Sequence, residues 1–115
     1  MAVQSVAPIA AGYVYKTRLQ VSGEDVVFPA GCLLRAQVRP FVGAAHLAGT
    51  LTTENGGLTR VDDHTLDIVV PDDVTANIGN AKAWLDIARV DVDPDEWVGV
   101  QIQLPVVTPV TEPLA

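Results

Sequence analysis

The chain has 115 residues, 49% hydrophobic and 18% charged, which describes one domain with enough apolar side chain to close a core and rules out wholesale disorder. A formal net charge of −7, with seven Lys and Arg against 14 Asp and Glu, argues against both the basic footprint of a nucleic-acid binder and the polybasic face of an anionic-membrane binder. Cys32 is the only cysteine, so no intrachain disulfide is possible, and no run of 18 apolar residues predicts a spanning helix.

Residues 1–11 are mildly apolar, interrupted by Gln4, Ser5 and Pro8, and lack the basic start of a signal peptide; they read as an extended N-terminal arm. From Gly12 to Val21 the pattern alternates, with Tyr13, Tyr15, Leu19 and Val21 on one face and Lys16, Arg18 and Gln20 on the other. A period of two is the signature of a half-buried strand. The turn at Ser22-Gly23-Glu24-Asp25 follows, then Val26 to Phe28 and a second turn at Pro29-Ala30-Gly31. A strand over 32–39 puts Cys32, Leu34, Ala36 and Val38 inward and stops at Pro40. Ala48 to Thr53 and Leu58 to Val61 flank Asn55-Gly56, the strongest short-range hairpin signal, and are expected to pair.

Thr65 to Val70 predicts a strand with Leu66, Ile68 and Val70 inward, closed by Pro71. Val74 to Ile78 predicts a single helical turn or compact loop, capped by Asp72 or Asp73. Ala81 to Val90 is apolar on both faces, as a central strand is. An acidic loop spans Asp91 to Glu96, and Trp97 to Leu104 is the last strand, with Val98, Val100, Ile102 and Leu104 on one face. The prolines at 105, 109 and 113 make 105–115 an extended C-terminal arm. Seven to eight short antiparallel strands with regular turn signals predict an all-β, immunoglobulin-like β-sandwich over 12–104, carrying an extended arm at each end.

Little of the chain suggests chemistry. Asp91, Asp93 and Asp95 have the alternate spacing that opens a calcium loop, but Glu96 stands where that loop needs Gly and Ile102 where it needs Glu, so they are weak metal candidates. Asp62, Asp63 and His64 are adjacent, a spacing that points side chains apart rather than onto one ion. No nucleophile elbow, P-loop or dinucleotide fingerprint is present, and Cys32 lies on an apolar face; neither an enzyme nor a cofactor is expected. Trp97, opposite the apolar face of its strand, is a candidate interface residue, and Trp84 and Trp97 are alternative stacking platforms for a carbohydrate. The apolar ends, with Ile9 on one arm and Val106, Val107 and Val110 on the other, are candidate contacts to neighbouring subunits of a homo-oligomer.

The order of several motifs resembles a family of small immunoglobulin-like domains of bacteriophage virions, typified by the N-terminal domain of phage baseplate upper proteins. The resemblance spans residues 25–108 and rests on Phe28-Pro29-Ala30-Gly31, Leu51-Thr52-Thr53 before Gly56-Gly57-Leu58, and Leu66-Asp67-Ile68-Val69-Val70 running into Val74-Thr75-Ala76-Asn77-Ile78. It continues through Ala83-Trp84-Leu85-Asp86-Ile87 and Gly99-Val100-Gln101-Ile102 toward Val106-Val107-Thr108, and departs at Ala81-Lys82-Ala83-Trp84, where the family favours an aromatic pair. The resemblance implies a non-enzymatic structural protein of the virion, made in the bacterial cytoplasm, that docks to other phage proteins in the tail, neck or baseplate. The alternatives are a head decoration protein and a calcium- or carbohydrate-binding module.

Overall fold

A computed structural model describes residues 7–111. Two sheets pack face to face. The larger has the order β1 (Ile9–Ala10), β8 (Glu96–Val107), β7 (Lys82–Arg89), β3 (Leu34–Arg39), β4 (Gly49–Thr52). The smaller runs β2 (Tyr15–Gln20), β6 (Thr65–Val70), β5 (Leu58–Asp62). A three-stranded sheet of the second, sixth and fifth strands against a sheet that crosses over between the third and seventh is the immunoglobulin-like arrangement, so the expected fold class holds. All pairings are antiparallel except β1 with β8.

The alternating faces meet in the core as expected. Tyr15 and Leu19 of β2 and Leu66, Ile68 and Val70 of β6 face Leu34, Ala36 and Val38 of β3 and Ala83, Leu85 and Ile87 of β7. Val100, Ile102 and Leu104 of β8 complete that layer. Phe28, fully buried, closes one end; its N–H and that of Val27 both donate to the Asp63 carbonyl. Burying each such large side chain contributes about 1.5–3 kcal/mol.

Four local expectations change. The Asn55-Gly56 turn does not join a hairpin: β4 pairs with β3 in one sheet and β5 pairs with β6 in the other. Only Gly56 has positive φ, at 83°, whereas a type I′ hairpin needs it at both central positions. Asn55 instead ties the crossing together, its Oδ1 accepting from the N–H groups of Thr52 and Gly57, both at 2.9 Å. The hairpin lies one turn later, at Asp63-His64 between β5 and β6.

Ile9 is not on a free arm. It is fully buried, in β1, opposite Val106 of β8. The strand expected to end at Leu104 continues to Val107, so Val106 and Val107 belong to the sheet rather than to an arm. Pro105 is tolerated because backbone direction alternates along the strand. Val106 N–H donates inward to Ala81, so the position before it needs no donor toward β7. The helix α1 (Asp72–Ala76) forms, but its N-cap is Pro71, which makes no side-chain capping bond; Asp72 and Asp73 sit in its first turn, where their carboxylates accept the N–H groups of Asp73 and Val74, both at 3.0 Å, and favour the helix dipole. The remainder of the two expected arms, residues 1–6 and 112–115, lies outside the described residues.

Candidate functional site

The outward face of the larger sheet carries a set of polar and aromatic side chains. Register places them in lateral rows. Gln37 of β3, Asp86 of β7 and Gln101 of β8 form one row, because Gln37 pairs with Asp86 and Asp86 with Gln101. The next row is Arg39, Trp84 and Gln103, and the row on the other side is Arg35, Ala88 and Trp97. Neighbouring rows are about 7 Å apart along a strand and neighbouring strands about 4.8 Å apart. A polar row therefore lies between two tryptophan-bearing rows.

Between Gln37 and Arg39 on one side and Asp86 and Gln101 on the other is a shallow groove of about 190 Å³. Trp84 lines it, and Phe41, Val42 and Gly43, from the loop after β3, form a wall. Several of its polar groups are held in place. Arg39 donates one nitrogen to the Ala44 carbonyl at 2.8 Å and the other to Gln37 Oε1 at 3.0 Å. Trp97 Nε1 donates to Asp86 Oδ2 at 3.1 Å, while Oδ1 of that carboxylate has no hydrogen-bond partner among the described residues. Trp97 itself is 58% exposed. A bulge sets its position: β8 slips register between Asp86 and Ala88, and Gly99, at φ 87°, adopts the left-handed geometry that lets the strand bend.

The acidic loop does not gather its carboxylates. Asp91 is held by Arg89 through two bonds, at 3.1 and 2.7 Å, and that guanidinium holds its carboxyl below the usual range. Asp95 turns instead to Arg35 at 3.4 Å, and Asp93 is exposed. Among the described residues no group of three or more His, Cys, Asp or Glu side chains comes together. The two histidines are far apart in the fold, His46 Nε2 against the Asn77 carbonyl and His64 Nε2 against that of Asp25. Cys32 is buried, and desolvation pushes its thiol pKa up, aided by Asp91, the opposite of what a nucleophile needs.

At one pole of the sandwich the segment leading into β2 meets the segment leaving β8. Ala11 N–H donates to the Val107 carbonyl at 2.9 Å, and the Tyr13 hydroxyl donates to the Thr111 carbonyl at 2.7 Å. The Tyr15 hydroxyl donates to the Ala7 carbonyl at 2.6 Å. Fully buried Thr75 of α1 anchors the same turn, its hydroxyl accepting from Gly12 N–H and donating to the Tyr13 carbonyl. Val14, Val107 and Val110 stay exposed there, Val110 completely, while Val106 is half-buried against the core.

Of the residues singled out in the sequence, Trp84 and Trp97 come together with Asp86 on one face, and Val107 and Val110 share the pole. Ile9 does not join them at the surface. The groove residues Gln37, Arg39, Phe41, Asp86 and Gln101 went unassigned. The available signal was weak: Gln37 and Gln101 occupy outward positions of clean strands, and Phe41-Val42 is an apolar pair just after a strand stop. No protein-family model matches the chain, and no curated protein matches it.

Proposed function

We propose that the chain is a non-enzymatic structural component of a bacteriophage virion, assembled in several copies and docked to other virion subunits in the tail, neck or baseplate. The motif order described above motivates the virion setting. The observation that carries the docking role is the pole at which Val14, Val107 and Val110 remain exposed beside backbone at Ala7 and Thr111 held by the Tyr15 and Tyr13 hydroxyls. Apolar side chains on a fixed backbone lose little conformational entropy on meeting a partner, which favours association.

Immunogold electron microscopy of the particle that co-purifies with the chain tests the reading. Label at the tail, neck or baseplate is expected. Label over the whole shell would replace it with head decoration, and the absence of any particle would overturn the virion assignment. Replacing Val107 and Val110 with Asp tests the pole separately. The monomer should stay folded while its assembly, read by light scattering, is lost.

A further inference from the structure

We propose that the groove on the outer face of the larger sheet is a binding site for one neutral pyranose ring of a carbohydrate, stacked on Trp84 and hydrogen-bonded by Asp86, Gln37 and Gln101. A sugar ring presents an apolar C–H face and a rim of hydroxyls that both donate and accept. Its site therefore needs an aromatic plane bordered by fixed groups of both kinds. Trp84 supplies the plane. The adjacent row supplies the rim: Asp86 accepts, and the amides of Gln37 and Gln101 each donate and accept.

Two features separate this groove from an ordinary sheet surface. Asp86 and Gln37 are each oriented by another side chain, Trp97 and Arg39 respectively, so less ordering entropy is lost when a ligand arrives. The groove is also walled by Phe41, which is 57% exposed although apolar.

Size and charge narrow the ligand. About 190 Å³ falls below the ~300–1,000 Å³ of a drug-sized site, which suits one ring of a longer glycan rather than several. Arg39 and Asp86 balance one another in the groove, and the chain carries a net charge of −7, so polyanionic glycans are disfavoured.

The chain contains two tryptophans, Trp84 and Trp97, both on this face, so intrinsic emission reports directly on occupancy. The intact chain is titrated with D-glucose, D-galactose, D-mannose and N-acetyl-D-glucosamine to tens of millimolar, then applied to an array of their oligosaccharides. A saturable emission change with at least one sugar is expected, together with retention on glycans that contain it. Gln101→Ala and Phe41→Ala alter exposed side chains and should leave the melting temperature unchanged while weakening binding roughly tenfold or more. Trp84→Phe should weaken it by less, and Val110→Asp, which does not line the groove, not at all. Silence in both assays overturns the proposal. So does binding that Gln101→Ala and Phe41→Ala leave intact, or retention of polyanionic glycans alone. None of these results touches the virion reading, which rests on Val14, Val107 and Val110, none of which lines the groove.

Discussion

Truncating Ile9 distinguishes a chain end that is part of the fold from one that merely lies on it. Ile9 is 0% exposed and sits in the core cluster. Ile9→Ala removes three buried carbons and leaves a cavity that a two-residue strand, held by its pairing with Val106 and Val107, can close only in part. Substitutions of this kind cost about 2–5 kcal/mol. The lower half of that range applies here, because a strand of two residues can shift to narrow the cavity. Ile9→Val, losing one methyl, should cost about 0.5–1.5 kcal/mol. Val110→Ala is the control: its side chain is fully exposed, and the change should fall within about 0.5 kcal/mol of zero. Urea unfolding followed by tryptophan emission gives all three values, with a lower midpoint and an unchanged slope for Ile9→Ala. A loss below about 0.5 kcal/mol for Ile9→Ala, equal to that of Val110→Ala, would refute the docking of β1 and restore the free arm.

Further outcomes follow from the same contacts. Asn55→Ala leaves the N–H groups of Thr52 and Gly57 without their acceptor and should destabilise by about 1–2 kcal/mol in the same assay; no change would mean water replaces the amide at no cost. Cys32 should react slowly with an aromatic disulfide reagent at neutral pH and rapidly once guanidinium unfolds the chain, since burial disfavours its thiolate; fast native labelling would contradict that. Asp67, next to the Arg18 guanidinium, and Asp62, accepting the His64 backbone N–H, both have pKa values below the usual carboxylate range. A depressed folded value contributes stability that is present above the unfolded pKa and lost as pH falls through the folded one. Stability should therefore decline on acidification below about pH 4, and Asp67→Asn should flatten that decline; an unchanged acid limb would show the pair to be inert.

Strand identity was legible wherever one face of a strand is buried. Cys32, Leu34, Ala36 and Val38 alternate in sequence and are all buried in the structure, because a sheet with one dry face leaves no other register. Strand partnership was not legible. Asn55-Gly56 reports a local reversal of the chain, but whether the next strand joins the same sheet depends on which inner face its apolar residues fill. Here Leu51 faces inward from one sheet and Leu58 from the other. Ile9-Ala10 is too short to show any period, and its role emerges only when β8 lies beside it. The groove was hidden for a related reason. Gln37 lies 49 positions before Asp86 and Asp86 15 before Gln101, and they become neighbours only through the β3–β7–β8 register. Single outward polar residues on a strand look the same in sequence whether or not their lateral neighbours form a row.

The parallel pairing of β1 with β8 has a mechanical consequence. Tension applied between Ala7 and Thr111 draws β1 toward its own beginning and β8 toward its own end. Because the two strands run the same way, these pulls are opposed along their common axis. The bond from Ala11 to Val107 and the packing of Ile9 are then loaded together, in shear, and must yield at once. Tension applied across β4 or β5 would instead unzip an antiparallel ladder bond by bond. Force entering at Ala7 and leaving at Thr111 is therefore carried across the β1–β8 pair in shear, a link suited to passing load along the sheet.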